Sequence, residues 1–309
     1  MILLFAIVVA LHGLVHLLGV AKAFGLADLP QLTQPITPAL GVAWLVAAVL
    51  FVASAVALVT APRWWWVMAA GAIVVSMAAI VPSWSDAKAG AAVNTVMLVG
   101  VVFGALTYGP GSLRAAYDSE VAQRLASVAT RPASTVTEAD LQPLPDRVQR
   151  YLRSSGVVGQ PHVHSFRVRM HGRIRSGPHA PWMPFSAEQH NVIGDAARLF
   201  YMRASMRGLP VQGLHRYADG AASMRVKAAA LQPVVDQSGP ELTRAETVTL
   251  FNDMCIMAPA ALVDPAITWE AEEGRTVRAA FANAGHTIRA ELVFNERDEL
   301  VDFRSDDRY

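Results

Sequence analysis

Met1-Ile2-Leu3-Leu4-Phe5-Ala6-Ile7-Val8-Val9-Ala10-Leu11-His12-Gly13-Leu14-Val15-His16-Leu17-Leu18-Gly19-Val20 is apolar throughout except for two histidines. It is the first of four such runs, the others being Ala39–Thr60, Trp64–Val81 and Ala91–Tyr108. Each is about long enough to cross a hydrocarbon core roughly 30 Å thick at 1.5 Å per residue. Before Arg114 the only acidic or basic residues are Lys22, Asp28, Arg63, Asp86 and Lys88, and all lie in or beside the gaps between runs. The pattern predicts a four-helix transmembrane bundle over residues 1–110.

Working outward, Ala21-Lys22-Ala23 mimics a cleavage site, but no basic residue precedes the first run and His12 and His16 interrupt it. A first transmembrane helix is therefore expected rather than a removed leader. Pro30, Pro35 and Pro38 make Phe24–Pro38 a non-helical loop. Trp64, Trp65 and Trp66 follow the Pro62-Arg63 turn, where an aromatic belt belongs. Gly100 and Gly104 have the spacing that allows close helix approach; ordinary membrane glycine content explains them equally. With four crossings, Arg63, Arg114 and Arg124 share one side and Lys22 and Lys88 the other. The positive-inside rule then predicts a multi-pass cell-membrane protein with a cytoplasmic tail, by about one charge.

The remainder is a different material. Of 26 basic and 25 acidic residues, 23 of each follow Leu113. That balance excludes a general nucleic-acid binder, which needs a net basic footprint. The single cysteine, Cys255, excludes an intrachain disulfide and suggests no cysteine-based zinc site. Residues 111–140 read as a connecting helix and linker. Leu113, Tyr117, Val121, Leu125 and Val128 recur at helical spacing, and Pro132 and small polar residues follow. Pro145 and Gly156 bracket a second short helix with Val148, Tyr151 and Leu152 on one side.

From His162 the period becomes two. Phe166, Val168, Met170 and Ile174 alternate with Arg167, Arg169, Arg173 and Arg175. Phe200, Met202, Ala204 and Met206 alternate with Tyr201, Arg203 and Ser205, with Arg198 counted on the polar side. Similar alternation covers 222–228, 277–281 and 288–294, with Asn283-Ala284-Gly285 as a hairpin turn, and Leu300–Arg304 is a further expected strand. One helix begins at Gly239-Pro240 and ends or kinks at Pro259. The expected fold for residues 141–309 is an α+β domain: one curved, mainly antiparallel, half-barrel-like sheet whose apolar face a helix covers.

Several constellations are candidates for chemistry. His12 and His16 lie four apart on one helix face, within reach of Asp86 and Lys88 if their loop folds back, or of Asn94. Such a pair can bind a metal ion or relay a proton; alternatively neutral imidazoles tie helices together. His162 and His164 share a strand face without a third ligand nearby. The Arg167–Arg175 stripe suits either lipid phosphates or cross-strand acids. Ala180-Pro181-Trp182-Met183-Pro184-Phe185 is the densest apolar turn of this part, and Glu188 and Glu246 are candidate buried carboxylates. No common catalytic or nucleotide-binding motif occurs, and no cofactor follows from the residues.

Some of these stretches also carry a resemblance. They are Leu144-Pro145 through Val148-Gln149-Arg150-Tyr151-Leu152, Ser155-Gly156-Val157-Val158-Gly159 and the Ala180–Phe185 turn. Ala187-Glu188-Gln189, Gly208-Leu209-Pro210-Val211, Asp219-Gly220 and the helix Glu241–Leu262 belong to the same set. In the first part, His12-Gly13 with His16, Leu32-Thr33-Gln34-Pro35 and Ser83-Trp84-Ser85-Asp86-Ala87-Lys88 match too. Together they resemble an uncharacterised bacterial membrane-protein family, the domain-of-unknown-function 6544 family, in its four-helix form. The resemblance implies no activity and transfers no catalytic residue. It does imply a further strand-rich segment beyond Tyr309, without which a sheet edge would lie open.

Two functions follow as expectations. In the first, the sheet's greasy face, with Trp182, Phe185, Phe200, Met202 and Met224, binds a lipid-like or other hydrophobic small molecule next to membrane lipid. The plan is similar to that of lipoprotein-carrier sheets. In the second, a membrane enzyme or proton- or metal-linked carrier uses His12, His16 and Asp86, with Lys88 beside them. Oligomeric state is not encoded in any of these patterns.

Overall fold

The computed structural model of the chain describes residues 2–194 and 196–308; Met1, which opens the first apolar run, and Tyr309 lie outside them. The chain divides into two units, Met1–Ser112 and Leu113–Tyr309.

The first unit is helical: α1 (Ile2–Val15), α2 (Leu17–Ala23), α3 (Pro38–Thr60), α4 (Trp65–Ile80) and α5 (Trp84–Tyr108). The Thr37 hydroxyl accepts from the Leu40 amide and Pro38 occupies the first turn, so α3 starts where the chain's own chemistry dictates. Three helical runs, rather than the four expected, are long and apolar enough to cross a membrane. They are Ile2–Ala23 of 22 residues, Pro38–Thr60 of 23 and Trp65–Val128 of 64. The fourth merges with the third because Val81–Ser83 stays helical as a 3₁₀ turn across Pro82. Gly100 and Gly104 do serve close approach. A Cβ at Gly100 would lie 2.6 Å from the Phe5 ring, and one at Gly104 2.6 Å from Trp66 Cβ.

The second unit starts with α6 (Leu113–Val128), α7 (Glu138–Leu141) and α8 (Asp146–Ser154). Six strands follow: β1 (Ser165–Ile174), β2 (Met183–Val192), β3 (Ala197–Met206), β4 (Leu209–Ala218), β5 (Ala221–Ala228) and β6 (Gln232–Ser238). Next come α9 (Pro240–Met257) and β7 (Ile267–Glu273), β8 (Thr276–Asn283), β9 (His286–Phe294) and β10 (Leu300–Arg304). Two open antiparallel sheets form, β1–β6 in sequence order and β10-β9-β8-β7, where one curved sheet was expected. The reason is α9: it intervenes between β6 and β7 and packs on both sheets, so the strands on either side of it never pair.

Three turns set the register. Arg207-Gly208, Asp219-Gly220 and Ala284-Gly285 each place two consecutive residues at positive φ between 46° and 85°. Such two-residue loops match the twist of an antiparallel pair.

The core follows the alternation. The principal cluster joins Val148 and Leu152 of α8, Val248, Phe251 and Met254 of α9, and the inward faces of β7–β9. Phe251 stacks on Phe281 at 5.3 Å. A second cluster lies on the opposite face of the six-stranded sheet, where Leu113, Tyr117 and Val121 of α6 meet Leu199, Tyr201 and Leu214. Thus α6 is part of the sheet domain rather than a free connector. The Tyr117 hydroxyl and His190 Nδ1 are hydrogen-bonded at 2.8 Å, and burial, with the nearby Glu188 charge, pushes the phenol pKa up. Replacing Tyr117 with alanine is expected to cost about 3–5 kcal/mol, and with phenylalanine only about 1 kcal/mol. Loss of hydrogen-exchange protection along α6 in Tyr117→Ala, but not in Tyr117→Phe, checks this.

Candidate functional site

The two faces of the six-stranded sheet differ sharply. Cross-strand register places Phe200, His215 and Met224 in one row, Ala187, Met202, Gly213 and Val226 in the next, and Phe185, Ala204, Val211 and Ala228 in a third. All point to the side on which α9 packs. Of the residues singled out in the sequence, Phe185, Phe200, Met202 and Met224 therefore share one surface, and each is half-buried. Trp182 does not join them: it sits one residue before β2, 53 % exposed, with the Arg175 guanidinium 4.6 Å from its ring centre. Gly213 lies in the middle of the surface. It has no side chain, and Val226 and Met202 stand 3.5 and 3.7 Å from where a Cβ would be.

Helix α9 covers only the inner end of this face. There Tyr217 Oη and Thr247 Oγ1 lie 2.8 Å apart, and the Ala222 amide donates to Thr243 Oγ1 at 3.0 Å. Where helix and open surface meet lies a buried ionic cluster. Arg198 Nε donates to Asp253 Oδ2 at 2.8 Å, Nη1 to Glu246 Oε2 at 3.0 Å and Nη2 to Gln189 Oε1 at 3.0 Å. The Gln189 amide donates to Asp253 Oδ2 at 2.7 Å and the Asn191 amide to the same oxygen at 3.3 Å. Every donor of the guanidinium that faces inward has an acidic or amide oxygen, which is what a buried charge requires. His215 Nε2 stands 3.5 Å from Glu246 Oε1 without making a hydrogen bond. Burial pushes the His215 imidazole below its ordinary value, against the pull of Glu246.

Strand alternation gives Arg198 the parity of Phe200 and Met202, so it belongs to the helix-covered face and not to the polar side. Gln189, Asn191 and Asp253 were not anticipated either. The available signal was polar residues at inward positions: Gln189 and Asn191 follow Phe185 and Ala187 at a spacing of two. Glu246 is buried in the cluster. Glu188 lies on the opposite face, where it meets Arg114 at 3.2 Å and Arg167 at 3.3 Å.

The first unit holds a separate site. His12 Nε2 and Asn94 Oδ1 are 3.0 Å apart; the Asn94 amide donates to Ser76 Oγ at 2.9 Å; His16 Nε2 is 2.8 Å from Ser76 Oγ. His16 Nδ1 must donate to the His12 carbonyl at 2.8 Å, since that oxygen only accepts. His16 Nε2 then accepts from Ser76, and His12 Nε2 donates to Asn94. Both rings are consistent with neutral imidazoles that link α1, α4 and α5. Beside them is a cavity of about 400 Å³, lined mainly by apolar groups with His12, His16, Trp44 and Asp86 on its wall. Asp86 is turned to the loop, accepting from Thr33 Oγ1 at 2.8 Å and the Gln34 amide at 2.7 Å. Lys88 is exposed and does not line this cavity. Among the described residues no three His, Cys, Asp or Glu side chains gather as a metal site. His162 approaches only Asp140, at 3.9 Å.

The fold and these sites define a protein with an apolar helical block joined to a two-sheet α+β domain. The chain belongs to a family of unknown function (DUF6544), whose profile matches residues 134–309. No curated protein and no solved structure matches it.

Two outcomes follow from the ionic cluster. Arg198→Met strands two buried carboxylates and is expected to destabilise the domain by about 3–5 kcal/mol. Adding Glu246→Gln and Asp253→Asn recovers most of the loss, as thermal unfolding of the single and triple variants will show. The folded state holds His215 below its ordinary 6.5, so its contribution is complete above that pH and is lost as pH falls towards the folded value. His215→Gln is expected to flatten the decline in stability as pH falls below about 6.5, measured by denaturant titration.

Proposed function

We propose that this chain is a multi-pass membrane protein whose sheet domain holds a lipid-like or other hydrophobic molecule on the α9 side of its six-stranded sheet. One observation carries the reading. Helix α9 bonds the Arg198 cluster at one end of the face and leaves Phe185, Phe200, Met202 and Met224 half-buried about Gly213. Two half-buried methionines beside a glycine suit an irregular apolar guest, since their unbranched thioethers adapt to shape. Each methylene such a guest removes from water contributes about 0.8 kcal/mol.

In this reading the helical block crosses the membrane four times, the run Trp65–Val128 reversing at Val81–Ser83 where α4 turns back along α5. The sheet domain is then cytoplasmic, on the side of Arg63, Arg114 and Arg124. A second reading rests on the cavity beside His12 and His16: a proton-linked carrier that uses those imidazoles and Asp86. Replacing both histidines with leucine while any transport-linked phenotype persists would sink it.

Gly213→Leu would place a bulky side chain between Met202 and Val226. Native mass spectrometry of detergent-purified protein is expected to show an apolar adduct on the unsubstituted chain, at least tenfold depleted in the variant. Delipidated chain that rebinds no apolar molecule would contradict the proposal.

A further inference from the structure

In a six-stranded meander the β1–β2, β3–β4 and β5–β6 connections all lie at one end of the sheet. Neither helix reaches that end: the α6 contacts lie on Leu199, Tyr201 and Leu214, and the α9 contacts on Arg198, Tyr217 and Ala222. Each of the three tips exposes large apolar side chains. Trp182 is 53 % exposed at the first, Met206 and Leu209 are 39 % and 44 % at the second, and Leu231 and Val234 are 67 % and 52 % at the third.

The same tips are one-signed in charge. Arg173, Arg175, Arg203, Arg207, Arg225 and Lys227 fall within residues 173–185, 203–211 and 225–235, which contain no acidic residue. The chain as a whole carries a formal charge of only +1, so the asymmetry is local. It is also not neutralised within the fold. Along β1, Arg167 pairs with Glu188, whereas among the described residues Arg173 has no acidic partner and Arg175 bonds the Pro178 carbonyl and stacks on Trp182. Arg203 and Arg207 likewise have no ion pair among the described residues, whereas Arg225 faces Asp236 across the β5–β6 pair, one residue beyond these stretches.

We propose that these three hairpin tips form a docking rim for an anionic bilayer surface. Trp182, Leu209 and Leu231 enter the interfacial layer, where an indole and aliphatic tips are favoured. The surrounding arginines meet lipid phosphates, an attraction confined to roughly a Debye length. The apolar rows Phe185–Val211 and Met202–Val226 begin directly behind the tips, so a docked rim opens the greasy face towards lipid. The rim itself is independent of whether that face holds a ligand.

The test uses the full chain, one copy per nanodisc. The only native thiol, Cys255, is fully buried. A fluorophore is attached at Ser176→Cys on the first tip or Gln232→Cys on the third, and access is read by acrylamide quenching. In discs containing about a third phosphatidylglycerol both reporters are expected to be quenched several-fold less than in pure phosphatidylcholine discs. One molar salt, or the Arg173→Glu/Arg207→Glu variant with unchanged thermal unfolding, restores access. Equal quenching in the two lipid compositions overturns the proposal. So does protection that appears only in discs carrying two copies, which would make the rim a contact between chains.

Discussion

One guanidinium decides how the sheet domain is dressed. Arg198 rises from the start of β3 on the side that elsewhere is apolar, and two carboxylates of α9 close on it. A buried ion pair is poor evidence of net stability, but it is a strong constraint on register, because sliding the helix would leave charges unpaired out of water. The opposite side of α9 is apolar, with Phe251 and Met254 against the second sheet. A helix with one ionic and one greasy side has a single seat between two sheets. From that seat it cannot extend over Met202 and Met224, and the open surface is a consequence of the polar lock beside it.

The helical block solves the opposite problem. In the membrane setting proposed for it, the hydrophobic effect does not draw helices together, and small residues and polar links take its place. Gly100 and Gly104 admit Phe5 and the Trp65–Trp66 pair. The chain of His12, Asn94, Ser76 and His16 runs in one direction, with Ser76 accepting from Asn94 and donating to His16. That is how interhelical glue is built. It occupies both nitrogens of His16, which a metal would need. The cavity beside it is a separate feature, defined by its wall rather than by the bonds of the imidazoles.

Much of this could be read from residues alone, and the failures have physical causes. The apolar helices, α6, α8 and α9 and the arginine-striped β1 announce themselves by clean periodicity. The strands β2, β4, β6 and β7 do not. In β2 the inward positions Gln189 and Asn191 are polar because they serve the ionic cluster; in β4 the inward position 213 is glycine; β6 and β7 each carry a register shift that breaks the alternation. The shared apolar face was legible at Phe185, Phe200, Met202 and Met224, which fall on one side of the sheet. The ionic cluster was hidden, because Arg198 violates the pattern that identified its own strand. Trp182 drew notice by composition, and strand parity sends it elsewhere. Two sheets were read as one because nothing local in β7–β10 reveals that α9 separates them from β6.

The central claim is that a defined apolar surface of this domain stands open until a hydrophobic guest covers it. Hydroxyl-radical footprinting of methionine oxidation tests that claim at the side chains concerned. In delipidated chain, Met202 and Met224 are expected to oxidise readily while buried Met254 does not, and adding lipid is expected to protect the first two. Equal protection of Met202, Met224 and Met254 before and after delipidation would contradict the account.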